Sequence, residues 1–203
     1  MLQIPAAVLP YPTPNYGNGN VSWSNIHEAK DGKWNLKGRK FLRCSSQTQF
    51  RVFIIAVPPE DPKSKLRSEA ALQQVFDSFS AAAHLTYFTG KFTYVGYEIS
   101  PLFAQPQVAH QAMIQAQNKG ANFVILLLGS KSVSAYSIFK TLADRDFGVH
   151  SLCAVYKEDK DGKPFSDQYW GNVMMKVNLK AGGINHTVTK ATELMKDTLV
   201  LGA

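Results

Sequence analysis

Phe123-Val124-Ile125-Leu126-Leu127-Leu128-Gly129 is a run of six apolar residues closed by a glycine. Apolar residues without alternation suit a strand covered on both faces, and such strands occupy the middle of parallel sheets. Just before this run, Pro106 to Asn118 places Ala109, Ala112, Met113 and Ala116 at helical spacing, with Gly120 beyond the end. Lys91 to Glu98 reads as another strand. Further back, Phe50 to Val57 is strand-like and is stopped by Pro58-Pro59. Between these two lies a helix from Ser68 to about Ala83, carried by Leu72, Val75, Phe76 and Phe79, with Ser68 placed to cap its first turn.

Beyond Gly129, Val133 to Asp146 predicts a third helix and Gly148 to Tyr156 a fourth strand. The polar segment Lys157 to Gln168 contains Asp161-Gly162 and reads as a surface loop or hairpin. Tyr169 to Lys180 is helical and ends at Gly182-Gly183. A short amphipathic helix is expected over Val188 to Lys196, followed by apolar Leu199-Val200-Leu201. Strands and helices thus alternate, which predicts an α/β, Rossmann-like domain over residues 50–187 with a central, mostly parallel four-stranded sheet flanked by helices. Residues 1–49 are rich in Pro, Gly, Asn and Ser around the anchors Trp23, Trp34 and Phe41, and read as an irregular cover segment.

The 203 residues suit one domain with extra covering chain. Hydrophobic residues make up 45% of the sequence, enough for a real core and incompatible with a disordered chain. A formal charge of +7 favours an anionic partner. Cys44 and Cys153 are too few for a disulfide framework or a four-thiolate metal site, so a reducing compartment is expected. There is no apolar run of membrane-spanning length, and Met1 to Pro14 lacks the basic end and apolar run of a signal peptide. The expectation is a cytoplasmic protein with no membrane partner, for which the acceptor patterns at Asn20 and Asn185 carry no meaning.

Ligands of open α/β sheets bind beyond the carboxyl ends of the strands, where helix N-termini face anions. Gly129-Ser130-Lys131-Ser132 stands at such a place, yet it lacks the upstream glycine of a nucleotide-hydrolase phosphate loop. In the next helix Tyr136 and Lys140 are four residues apart and share a face, so a base could stack on the ring while its phosphate meets the ammonium. Lys176 and Lys180 repeat that spacing, and their like charges repel unless an anion lies near.

These residues form a pattern. The strand 123–129, Tyr136-x-x-x-Lys140, Gly148 with Cys153, and Lys176-Val177-Asn178-Leu179-Lys180-Ala181-Gly182-Gly183-Ile184-Asn185 together resemble the MID domain of eukaryotic Argonautes. Gly32-Lys33-Trp34-Asn35-Leu36 with Lys40-Phe41 resembles the linker before that domain. Leu201-Gly202-Ala203 resembles the strand opening the PIWI domain, so residues 188–203 would begin the connection to a PIWI domain that is absent here together with its catalytic residues. The loop 157–168 is longer than in animal members, which points to a fungal relative.

The resemblance implies that the chain binds the 5′-monophosphate and first base of a small guide RNA in gene silencing, with no covalent chemistry, cofactor or metal of its own. Its partners would be that RNA and the PIWI and linker parts of the parent protein. By the same resemblance Tyr136 stacks on the first base, Lys140, Lys176 and Lys180 hold the phosphate, and Ser130, Lys131 and Ser132 meet the base edge. Leu152 stands where the family often carries glutamine, leaving Ser151 or Cys153 to contact the phosphate by side chain or backbone.

Other chemistries fit poorly. His27, His84, His110, His150 and His186 are scattered, and His150 with Cys153 has no evident orienting carboxylate. A calcium loop centred on Gly162 would put Lys157 first and Gln168 last, where acidic ligands are needed. The alternative is a Rossmann-like module that binds a free nucleotide or a protein partner, with a basic face kept for solubility.

Overall fold

In the computed structural model, residues 13–21, 36, 38–158, 162 and 164–188 are described. The expected anchors Trp23 and Trp34, and the terminal segments after Val188, lie outside them.

The strand 123–128 is β5, buried along its whole length. Phe123, Ile125 and Leu127 join one apolar cluster and Val124, Leu126 and Leu128 another, so the strand has a core on each side. The same division holds for β3 (Gln49–Val57), where Val52, Ile54 and Ala56 face opposite to Phe53 and Ile55. With β4 (Lys91–Ile99) and β6 (His150–Val155) these strands form an all-parallel sheet in the order β4-β3-β5-β6.

Four helices cover it: α1 (Glu69–Leu85), α2 (Pro106–Asn118), α3 (Val133–Thr141) and α4 (Asp167–Lys180). The buried faces of α1 and α4 lie in the first cluster, those of α2 and α3 in the second, giving three layers. The expected fold class is the one observed. Trp170 shows how the α1/α4 layer closes: it is fully buried against Phe79 and Phe165 while its ring N–H donates to Ser78 Oγ at 2.8 Å.

Several boundaries differ from expectation. Ser68 makes no side-chain cap, because a short 3₁₀ turn, Lys65–Arg67, leads into α1 and is itself capped by Ser64 Oγ on the Leu66 N–H. The helix expected to run to Asp146 winds more widely from Leu142, where a π turn over Leu142–Asp146 brings the Phe147 N–H to Leu142 O. Helix α4 starts two residues early because Ser166 accepts from the Tyr169 N–H. It ends at Gly182, whose φ of +85° is a left-handed conformation that glycine adopts without a steric penalty.

The cover segment is more regular than its composition suggests. β1 (Pro14–Tyr16), β2 (Gly19–Asn20) and β7 (Thr187–Val188) form a small antiparallel sheet in the order β2-β1-β7. Val188 is therefore strand, not the start of a helix; the remainder of that expected helix lies outside the described residues. Gly17-Asn18 is the two-residue hairpin loop between β1 and β2, a turn signal that composition masks. Arg43 and Ile184 exchange backbone hydrogen bonds of 2.9 and 2.8 Å, clasping the cover segment to the chain just after α4.

Candidate functional site

Strand order places β6 at one edge of the sheet, and its ladder leaves half of its backbone outward. The His150 N–H bonds to Asn122 O and the Tyr156 N–H to Leu128 O, so residues 150, 152, 154 and 156 turn toward β5. In a parallel ladder the alternate residues, Ser151, Cys153 and Val155, turn their peptide groups the other way. That open edge floors a trough of about 630 Å³ between α3 and α4.

Tyr136 and Lys140 line it from α3, Asp144 from the wide turn, and Lys176 and Lys180 from α4. The Lys140 Nζ lies 2.6 Å from Ser151 Oγ and 3.2 Å from Ser151 O; the Lys180 Nζ reaches the same carbonyl at 2.8 Å. Two ammonium groups from different helices thus converge on one buried serine. Burial holds the Lys140 ammonium well below its ordinary range, at about 8, and the neighbouring Lys180 adds to the fall, while Asp144 and Cys153 oppose it. Burial pushes the Cys153 thiol up to about 11, so at neutral pH it is a neutral group whose polar offering is its outward peptide.

The sequence-expected residues do not all gather. Tyr136, Lys140, Ser151, Cys153, Lys176 and Lys180 line one trough, whereas Ser130, Lys131 and Ser132 are not among its lining. Ser132 spends its hydroxyl at the start of α3, accepting from the Ala135 N–H at 3.3 Å. The trough also runs beside β6 and not simply beyond the carboxyl ends of the strands, because α3 descends antiparallel to β5 and carries Lys140 down to the level of Ser151. Leu152 is 7% exposed, packs into the α1/α4 core and still borders the trough, where it offers an apolar surface and no hydrogen bond. His150 bonds to Gln47 Oε1 at 2.9 Å, an ordinary strand histidine. Among the described residues, no group of three or more His, Cys, Asp or Glu could hold a metal ion.

The Piwi domain family model matches residues 123–203, which include α3, β6, α4 and every lysine of the trough. "Protein argonaute" of Schizosaccharomyces pombe is 25% identical over 205 residues, covering 100% of this chain and 24% of its own length. "Protein argonaute 1B" of Oryza sativa subsp. japonica is 28% identical over 121 residues, covering 52% of this chain and 11% of its own. Among solved structures, Kluyveromyces polysporus Argonaute with a guide RNA superposes with a TM-score of 0.68 at 22% identity, over 90% of this chain and 21% of that one. Drosophila Piwi does so with a TM-score of 0.64 at 14% identity, over 89% of this chain and 23% of that one. The chain is thus similar in sequence to Argonaute proteins and shares the fold of this part of them.

The chain spans about a quarter or less of the length of these curated relatives. Within the trough, sequence reasoning missed Asp144, which accepts from Ser151 Oγ at 3.4 Å. Its signal was available, since Tyr136, Lys140 and Asp144 stand at successive four-residue steps. Among the described residues, no helix is long and apolar enough to cross a membrane.

Proposed function

We propose that the trough between α3 and α4 receives the 5′-monophosphate and first base of a small guide RNA, without catalysing a reaction. The observation that carries this reading is the convergence of Lys140 and Lys180 on Ser151, with Tyr136, a residue 48% exposed, one turn away on α3. A terminal phosphate brings close to two negative charges, and a charge-assisted hydrogen bond contributes about 1.5 to 3 kcal/mol. The β6 edge adds the Cys153 N–H as a donor, and Lys176 adds long-range attraction from its exposed place on α4. The chain would act as one module of a longer cytoplasmic Argonaute, with residues 50–187 as its MID domain, 1–49 as a cover and 188–203 leading onward. Ser130 and Lys131 remain candidates for the base edge, since they precede the helix that carries Tyr136.

The test is a titration with one short RNA bearing either a 5′-monophosphate or a 5′-hydroxyl. A marked preference for the phosphate supports the reading; equal, salt-dependent binding of both sinks it in favour of a generic basic face. Tyr136→Ala should weaken the two RNAs alike, by about 1 to 3 kcal/mol, because stacking does not depend on the phosphate.

Acidity supplies a further expectation. A bound anion favours the charged form of Lys140, so binding raises its pKa from about 8 and takes up a proton. Affinity for the 5′-phosphate should therefore be greatest between about pH 6, where the second phosphate ionisation passes its midpoint, and pH 8, and fall as the pH rises further. Lys180, Asp144 and Cys153 are the ionisable groups that face Lys140, and none of them reverses this sign. Calorimetry at pH 7 and pH 9.5 reads the change; equal affinities at both would remove Lys140 from the phosphate contact.

A further inference from the structure

The trough-facing side of α3 and its wide terminal turn presents an aromatic ring, an ammonium and a carboxylate in sequence: Tyr136, Lys140, Asp144. Lys140 and Asp144 meet the same Ser151 hydroxyl, one at 2.6 Å and the other at 3.4 Å. The cationic centre is therefore bounded by a stacking surface at one end and by negative charge at the other.

The charge count has a consequence for the ligand. Among the described lining residues, three lysines and one aspartate leave two net positive charges. A terminal monophosphate carries about 1.5 to 2 negative charges near neutral pH and is matched. A chain of three phosphates carries more than the lining neutralises. With its base held at Tyr136, its outer phosphates must either lie beside Asp144 or pull away from the lysines.

We infer that Asp144 is a specificity-determining residue that restricts the trough to a single terminal phosphate and turns away a 5′-triphosphate. The inference rests on the guide-end reading given above. Asp144 is exposed, and an asparagine there keeps the shape and the oxygen that accepts from Ser151 while removing the charge.

One short RNA with a 5′-hydroxyl, a 5′-monophosphate or a 5′-triphosphate, titrated without magnesium into the 203-residue chain and into its Asp144→Asn and Asp146→Asn variants, tests this. Asp146 lies on the same turn but not in the trough lining. The wild-type chain should prefer monophosphate to triphosphate by about tenfold, the effect of a carboxylate on two added charges at a solvated site. Asp144→Asn should bring the two within about twofold and keep the preference for monophosphate over hydroxyl, and Asp146→Asn should leave the wild-type ratio intact. A wild-type chain that binds triphosphate as well as monophosphate, an unchanged ratio in Asp144→Asn, or an equal collapse in Asp146→Asn overturns the inference while the guide-end reading stands. Equal binding of monophosphate and hydroxyl by the wild-type chain brings down both.

Discussion

Lys140→Ala is expected to weaken binding of a 5′-phosphorylated RNA by about 10- to 150-fold, while its 5′-hydroxyl twin stays within about twofold of wild type. The range is that of one charge-assisted hydrogen bond, and Lys140 is the lysine best placed to make it, being half-buried and fixed 2.6 Å from Ser151 Oγ. Loss of folding is not the cause to expect. Burial and Lys180 depress the Lys140 pKa, so its charge is disfavoured in the folded state at neutral pH and favoured in the unfolded chain. The sign follows: the folded chain binds fewer protons than the unfolded one between about pH 8 and 10.5, so the charge costs stability below that window and the cost is relieved as pH rises through it. A thermal melt of the variant at pH 7 should match the wild type or rise slightly. A melt far below wild type would mean that the lysine is structural, and binding that stays strong would mean that the phosphate sits elsewhere.

Asn178→Ala is expected to cost about 2 to 4 kcal/mol of unfolding free energy, by leaving buried polar groups without partners. Asn178 is fully buried on the face of α4 opposite Lys176 and Lys180. Its side-chain oxygen accepts from the Ser45 N–H at 2.9 Å, and its amide donates to Asn185 Oδ1 at 2.9 Å and to Arg43 O at 3.2 Å. One side chain thus ties the helix that presents two lysines to the cover segment and to the turn after the helix. Gly183 has no side chain because Asn178 fills the space where a Cβ would stand. Denaturant unfolding measures the loss, with Leu179→Ala, at an exposed position, as a control expected within about 0.5 kcal/mol. If Asn178→Ala unfolds like that control, the hub contributes little, and the placement of Lys180 must come from the helix alone.

The core of the fold was legible because it rests on periodicity. The apolar runs of β3 and β5 and the spaced alanines of α2 each report burial directly, and they appear in the structure at the expected residues. What escaped was set by few residues or by distant ones. The strands β1, β2 and β7 are two or three residues long, too short to show alternation, and two of them pair across more than 160 positions of sequence. The cap of α1 moved because Ser64 and Ser68 compete for neighbouring helix starts.

The candidate site was legible in its lysines and less so in its floor. Four-residue spacing brought Tyr136 onto one face with Lys140, and Lys176 with Lys180, and these are the residues that line the trough. That both pairs would meet at Ser151 depends on α3 and α4 flanking the same sheet edge, which is a matter of strand order. Asp144 was legible by the same four-residue step but was passed over because a carboxylate beside an expected phosphate gives no attraction to look for, and the wide turn keeps it on the lining face.

An edge strand that offers its peptide groups to a site has a further result for the history of that site. The outward N–H groups of Ser151, Cys153 and Val155 belong to every amino acid but proline. Their side chains answer to a different demand, as Leu152 does in filling the core between α1 and α4. Past Ser151, whose hydroxyl meets Lys140, the sequence of β6 is therefore free to drift toward whatever packs best, and relatives that differ there can keep the same peptide contacts. Proline would be rejected at positions 151, 153 and 155 alike, whereas Ser151, buried and bonded through its hydroxyl to Lys140, would tolerate fewer other replacements than Cys153 or Val155.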